Sequence, residues 1–188
     1  RLDVAIHLDD KVEDIIQERY DLAIRISAEP GLSLKARQLG VCKRVVVCSP
    51  DYAARKDTAT LFDDLFAHEY IGYSNIANSQ LWGFLPQNEQ NRGHIHSRFT
   101  SNNGEMGRDA AIAGMGLAVM PLFIVAEALR TGQLVNAMPH LELTPLPIYA
   151  VYPPTRYVSK KVRLVIDHLC LALGSNPPWE QDLPETSG

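Results

Sequence analysis

The residues with the clearest capacity for ligand chemistry stand at the predicted start of a helix. Asn102 is followed three positions later by Glu105, which is the spacing of a capping box. Residues 106–113 then carry apolar side chains at helical spacing, and Gly114 stands where a helix commonly ends in a left-handed conformation. Because a helix N-terminus presents unpaired N–H groups and partial positive charge, this start is a candidate site for a small anion.

A second helix start follows shortly afterwards. Residues 117–120 are apolar and too few for a helix, so they predict a strand covered on both faces. Pro121 then falls in the first turn of the next helix, where its missing N–H costs nothing. Residues 94–101 alternate and predict a strand leading into the first helix. If the two strands run parallel, both helices open at one sheet edge, where α/β sheets bind ligands; alternatively, these turns are scaffold only.

Three polar side chains elsewhere could contact a small molecule. Tyr73 and Ser74 end a predicted strand, and a ring with a hydroxyl beside it suits such contacts. The alternative is an edge tyrosine packed on its own loop. Arg25 shares a strand face with Asp21, so the two could form a structural ion pair, or Arg25 could bind an anionic ligand.

Other patterns exclude several kinds of chemistry. Gly114 and Gly116 resemble the start of a dinucleotide motif, but that motif follows a strand and opens a helix, whereas these glycines follow a helix. His94 and His96 share a strand face and could both contact a metal, but the sequence places no third ligand. We find no nucleophile–base pair, nucleophile elbow or phosphate-binding loop. The sequence therefore predicts no catalytic residue, no metal and no cofactor.

The bulk composition indicates a globular protein without a nucleic-acid-binding surface. The 188 residues carry a net charge of -4, and their Lys and Arg are scattered. No apolar run approaches the roughly 20 residues of a membrane span. Cys42, Cys48 and Cys170 are odd in number and unclustered, which favours a reducing, cytoplasmic compartment. If residues 41–48 form one strand, the first two cysteines lie about 20 Å apart, beyond the ~7 Å reach of a disulfide.

The remaining periodicities predict alternating strands and helices, which indicates an α/β fold. Strands are predicted at 3–8, 21–26, 34–39, 44–48, 70–74, 134–135 and 148–152, with residues 82–85 pairing antiparallel to 94–101. Helices are predicted at 11–19, 50–55, 60–66 and 159–173, a polar loop at 75–80 and a loosely held tail at 174–188. Two extended crossings, near 42–48 and 147–152, predict two lobes with a cleft between them.

The sequence resembles the effector-binding domain of LysR-type transcriptional regulators, to about Leu173. The matching segments follow the family's order: DLAIRIS at 21–27, ARQLG at 36–40, VVVCSPDYAAR at 45–55, DLFAHEYIGYS at 64–74, SNNGEMGRDAAIAGMGLAVMP at 101–121 and LPIYAVYP at 146–153. No single segment is diagnostic, but six in order are specific.

The resemblance implies two Rossmann-like subdomains joined by two crossover strands, as in type II periplasmic binding proteins. Subdomain I would comprise residues 1–44 and 149–173, without its first strand and helix, and subdomain II residues 45–148. The family's DNA-binding helix-turn-helix domain and linker helix have no counterpart in this chain. We therefore expect a piece of a longer regulator.

The resemblance also implies an effector in the cleft that modulates DNA binding by a homodimer or homotetramer. The family's pocket positions correspond here to Ser27, Ala28, Tyr73, Ser74, Asn102, Asn103, Gly104, Pro121 and Phe123, to which Arg25 is added as the candidate anion contact. A small carboxylate or aromatic acid suits the helix N-termini, and DNA would bind through the absent domain. We expect no catalysis and no membrane partner. The alternative is a periplasmic solute-binding protein of a transporter.

Overall fold

The chain divides into two compact units. The computed structural model describes residues 2–11, 14–31, 33–56, 68–82, 97–154, 157–174 and 177–181. The first unit spans Arg1–Cys42 and Pro145–Gln181, and the second is built on Lys43–Thr144. The chain thus leaves the first unit after Cys42 and returns to it at Pro145. The subdomain boundaries expected at Arg44 and Ile148 stay a prediction.

Eight strands and five α-helices are present among the described residues. The strands are β1 Ala23–Ile26, β2 Lys35–Cys42, β3 Arg44–Cys48, β4 Tyr70–Tyr73, β5 Ser97–Ser101, β6 Leu117–Pro121, β7 Val135–Asn136 and β8 Leu146–Tyr152. The helices are α1 Pro50–Arg55, α2 Asn78–Leu81, α3 Gly104–Ile112, α4 Leu122–Arg130 and α5 Lys160–Ala172. Most of these elements were predicted from periodicity.

The first unit packs one helix against a three-stranded antiparallel sheet of order β1-β8-β2. Its core joins Leu39 and Cys42 of β2, Ile148 of β8, and Val162 and Ile166 of α5. The predicted cap of α5 is confirmed, since the Ser159 side chain accepts the N–H of Val162 at 3.2 Å. This apolar helix face explains why α5 forms where its periodicity predicts it.

The start and end of the first unit differ from the prediction. Residues 3–8 do not form the expected strand, because in the described chain they have no neighbouring strand, and Ile6 and Leu8 are 79% and 89% exposed. Of the helix expected at 11–19, residues 15–19 form turns instead, and the Asp14 carboxylate accepts the N–H of Ile16; residues 12 and 13 lie outside the described residues. In the tail, Trp179 packs against the core, so this part is held.

The second unit contains a mixed sheet of order β5-β4-β6-β3-β7. β4 lies between β5 and β6 and runs parallel to both, whereas β3 is antiparallel to β6 and β7. Helix α1 begins as predicted after β3, where the Ser49 hydroxyl accepts the N–H of Tyr52 at 3.1 Å. Lys43 separates β2 from β3, so the single strand considered for 41–48 is two strands. All three cysteines are free thiols.

Trp82 is the largest fully buried side chain of the second unit's core. Its ring meets Tyr70 edge-on at a centroid distance of 4.8 Å and joins a cluster with Val46 and Leu117. Trp82 lies in the turn after α2. Helix α2 itself replaces part of the loop expected at 75–80. The helix expected at 60–66, residues 83–85 of the antiparallel pair, and His94 and His96 lie outside the described residues.

We expect Trp82→Ala to lower the free energy of unfolding by about 3–5 kcal/mol, because it removes a large buried ring and leaves a cavity. Urea denaturation followed by circular dichroism measures this change. Leu171→Ala is the matched control, since Leu171 is 85% exposed and its loss should change stability by less than about 0.5 kcal/mol. Equal losses in the two variants would contradict the assignment of Trp82 to the core.

Candidate functional site

The parallel strands of the second unit bring two helix starts to one sheet edge. β5 leads into α3 and β6 leads into α4, and both strands run parallel to β4. The predicted common edge for the two helix N-termini is therefore confirmed. We call the group at this edge formed by Tyr73, Ser74, Asn102, Asn103 and Gly104 the strand-end site.

Helix α3 is capped by Asn103 rather than by the predicted Asn102. The Asn103 side chain accepts the N–H of Met106 at 2.9 Å, and its backbone is extended, with φ −115° and ψ 127°. The Asn103 N–H donates to Ser101 Oγ at 3.0 Å. The predicted cap is one residue too early in the sequence, because two asparagines follow each other. Only the backbone conformation shows which of them precedes the helix.

Helix α4 begins differently, without a side-chain cap. Pro121 is the last residue of β6 and the N-cap position of α4, so it does not lie inside the first turn as predicted. The first helical N–H, that of Leu122, donates to the carbonyl of Lys43 at 2.9 Å. The two helix starts lie close together, since a Cβ on Gly104 would lie 2.6 Å from Ile124 Cδ1. Phe123, the residue before Ile124 in the sequence, is 40% exposed.

The ends of β4 and β5 are joined by hydrogen bonds beyond their last paired residues, Tyr73 and Ser101. The Ser74 N–H donates to the Ser101 carbonyl at 2.9 Å. The side chain of Asn75 donates to the Tyr73 hydroxyl at 3.0 Å and to the Asn102 carbonyl at 3.3 Å. Sequence reasoning missed Asn75 and Ser101 as members of this edge, although a polar residue directly after a strand end is the signal that could have found them.

The other three candidate residues, Arg25, Ser27 and Ala28, belong to the first unit. Arg25 lies on β1 with its guanidinium over the following loop, since a Cβ on Gly31 would lie 3.7 Å from Arg25 Nη1. The Ser27 hydroxyl donates within that loop to the Glu29 carbonyl at 2.6 Å. Ala28 is exposed. The choice between a structural and a ligand-binding role for Arg25 stays open.

The opposite edge of the second sheet carries a separate pocket. α1 follows β3, which is antiparallel to β6, so α1 begins at the edge away from the strand-end site. A pocket of about 380 Å³ lies there, lined by Ser49, Asp51, Ala54, Arg55, Ile112, Ala113 and Gly114. The Arg55 guanidinium donates to the carbonyls of Gly114 at 3.2 Å and Asp51 at 3.3 Å. The first of these hydrogen bonds connects Arg55, at the end of α1, to Gly114, which follows the C-cap of α3.

A buried polar cluster lies near this edge. The Tyr52 hydroxyl accepts the N–H of Glu69 at 2.9 Å, donates to Glu69 Oε2 at 3.1 Å and lies 3.4 Å from His68 Nδ1. Burial, and then the negative charge of Glu69, raise the pKa of Tyr52 to about 12. Burial likewise raises the pKa of the Cys48 thiol to about 11. Both groups are therefore neutral near pH 7.

The described residues contain no group of three His, Cys, Asp or Glu side chains suited to a metal ion. Within the same ranges, no helix combines the length and the apolar character needed to cross a membrane.

Comparison with known proteins identifies the family. Residues 1–171 match the model of the LysR substrate binding domain. The chain belongs to this family. It is 32% identical over 177 residues to the HTH-type transcriptional regulator PtxR of Pseudomonas aeruginosa, and this match covers 94% of the chain and 57% of PtxR. The chain spans little more than half the length of such curated relatives.

Solved structures support the same assignment. The regulatory domain of CrgA, a LysR-type regulator from Neisseria meningitidis, is 25% identical with a TM-score of 0.69, over 87% of this chain and 81% of that domain. The full-length virulence activator AphB of Vibrio cholerae is 26% identical with a TM-score of 0.68, over 89% of this chain and 57% of AphB. This LysR effector-binding domain therefore has the α/β, type II periplasmic-binding-protein-like fold.

We expect Tyr52→Phe to change how the stability of this LysR domain depends on alkaline pH. The folded-state pKa of Tyr52 lies at about 12, above its ordinary value of 10.0. Its hydroxyl therefore contributes stability that is fully present below pH 10 and is lost as the pH rises through 12. Tyr52→Phe should reduce stability at pH 8 by about 1–3 kcal/mol, since it leaves the Glu69 N–H unpaired.

The measurement is urea denaturation at pH 8 and at several values between pH 10 and pH 12. The difference between wild type and Tyr52→Phe should shrink over that interval. Tyr157→Phe is the control, because Tyr157 is 79% exposed. A difference that stays constant from pH 8 to pH 12 would rule out the assigned shift.

Proposed function

We propose that this LysR domain senses a small organic anion at the strand-end site and thereby controls transcription as part of a longer regulator. The observation that carries the proposal is the convergence of Tyr73, Asn103 and the start of α3 at the carboxyl edge of a parallel sheet segment. Such edges are the usual ligand sites of open α/β sheets. Family membership adds that these domains bind effectors.

The chemistry of this edge favours a carboxylate. Helix α3 has nine residues and directs the partial positive charge of its N-terminus toward the strand ends. The Asn75 side chain joins the Tyr73 hydroxyl to the Asn102 carbonyl just before α3, so α3 is the helix start that lies beside Tyr73. The half-buried ring of Tyr73 supplies an apolar surface beside it, which suits an aromatic acid. Glu105, in the first turn, opposes a highly charged ligand and favours a monocarboxylate.

The other proposed contacts extend from this edge. Pro121 is the N-cap of α4 and Phe123 lies in its first turn, next to Ile124, whose side chain lies beside Gly104. Ser27 and Ala28 come to the proposal from the family resemblance, and Arg25 is added because its charge could bind an anion. The turn bond of Ser27 shows that its hydroxyl must rotate before it could donate to a ligand. The cleft expected between the lobes stays a prediction.

The whole protein is proposed to act on DNA in the cytoplasm. PtxR, CrgA and AphB are regulators, and the chain spans 57% of PtxR and of AphB. We propose that DNA binds through a helix-turn-helix domain and that the regulator acts as a homodimer or homotetramer without catalysis of its own. These relatives are transcriptional regulators, which lends no support to the solute-binding alternative.

We expect benzoate to raise the melting temperature of this chain in a concentration-dependent way, because a ligand that binds only the folded state stabilises it. Benzyl alcohol, which has the ring without the charge, should give no shift. Asn103→Leu should abolish the benzoate response, since a branched apolar side chain then covers the start of α3. Differential scanning fluorimetry measures all three effects.

Asn103→Ser is the matched control, because serine also caps a helix N-terminus. Asn103→Leu should lose about 1 kcal/mol of stability with the cap yet remain folded. A benzoate response that persists in Asn103→Leu would move the ligand away from this edge. A response of equal size to benzyl alcohol would remove the carboxylate from the proposal.

A further inference from the structure

The side chain of Asn75 links two residues of the strand-end site, Tyr73 and Asn102. It follows β4 by two residues, is exposed, and reaches back to the last residue of β4 and across to the turn after β5. Its orientation follows from chemistry, since the Asn102 carbonyl can only accept and therefore requires the Asn75 amide nitrogen as donor. The bridge thus depends on an amide N–H₂ group.

This bridge extends the pairing of the two strands after their backbones have separated. The last backbone links are the register pair of Tyr73 with Ser101 and the bond from the Ser74 N–H to the Ser101 carbonyl. Asn75 then adds the two side-chain bonds, to Tyr73 and to Asn102. The Asn102 carbonyl directly precedes Asn103, whose side chain caps α3. One amide group therefore holds the Tyr73 hydroxyl and the approach to the helix start together.

We infer that Asn75 is the positioning residue of the strand-end site. It holds the Tyr73 ring and the turn at Asn102 and Asn103 in the geometry that receives the ligand, so that binding does not have to order them. This inference rests on the proposed function, because it assigns Asn75 a part in the same site. Asn75 acts through Tyr73 and Asn102.

The test compares Asn75→Ala with Gln80→Ala. Both substitutions remove an exposed amide side chain from the same segment of the chain, but the structure assigns the bridge to Asn75. Isothermal titration of the 188-residue chain with benzoate should show an affinity about two- to tenfold lower for Asn75→Ala, as expected when a rotamer-rich side chain must be ordered on binding. Gln80→Ala should bind benzoate like the wild type.

A second readout does not depend on any ligand. Hydrogen exchange followed by nuclear magnetic resonance should show faster exchange of the Ser74 and Asn103 amides in Asn75→Ala, because the strand ends open more often. Asn75→Asp should behave in the same way, since a carboxylate of equal size cannot donate to the Asn102 carbonyl. Unchanged exchange in both Asn75 variants would overturn the inference, because the bridge would then hold nothing in place.

The two proposals fail in different ways. Benzoate binding of equal strength to the wild type and Asn75→Ala overturns the role of Asn75 and leaves the proposed function intact. A wild type that binds no benzoate overturns the proposed ligand class, and the positioning role falls with it even if amide exchange changes. Weaker binding in Asn75→Ala, with Gln80→Ala unchanged and faster exchange at Ser74 and Asn103, supports both.

Discussion

The parallel pairing of β4 with β5 and β6 is the constraint on which the strand-end site depends. β4 is only four residues long, and its register sets Tyr73 opposite Ser101. A shift of one residue would turn Tyr73 to the other face of the sheet. This register requires glycine at position 72, because a Cβ on Gly72 would lie 2.8 Å from both Ser97 Oγ and Thr100 Oγ1. The glycine lets β5 approach closely enough for the strand ends to share hydrogen bonds.

The same edge illustrates how polar groups divide between structure and binding. The two helices that start there pair the N–H groups of their first turns differently: in α3 the N–H of Met106 donates to the Asn103 side chain, whereas in α4 the N–H of Leu122 donates to the Lys43 carbonyl. Both solutions follow from the need to pair backbone donors at helix starts. The α3 start is built from side chains, so changes in those side chains alter it without changing the sheet. Under the proposed function, α3 is therefore where we expect ligand specificity to vary.

Proteins of the same family match this chain at modest sequence identity. PtxR at 32% identity and the CrgA regulatory domain at 25% identity match most of this chain. A shared fold is compatible with identities of this size, because many combinations of apolar residues fill a core of the same shape. We propose that the identity of the ligand depends instead on a few side chains at the strand-end site. Family membership therefore implies effector sensing without naming the effector.

The sequence by itself determined the elements whose signals are local. The caps of α1 and α5, the buried strand β6 and the left-handed end of α3 at Gly114, with φ +76°, follow from short-range patterns. The parallel arrangement of β5 and β6 was only a condition in the sequence, and the pairing of both strands with β4 meets that condition. The family was identified from ordered segments of this kind.

Only the tertiary structure decided the features that depend on distant partners. Residues 3–8 have a strand's alternation, but alternation forms a strand only where a neighbour supplies hydrogen bonds. The pKa of Tyr52 is raised first by burial and then by the negative charge of Glu69, which is 17 positions away in the sequence. The Asn75 bridge reaches Asn102, 27 positions away. A sequence pattern shows which residues can donate or accept, but the fold decides which of them meet.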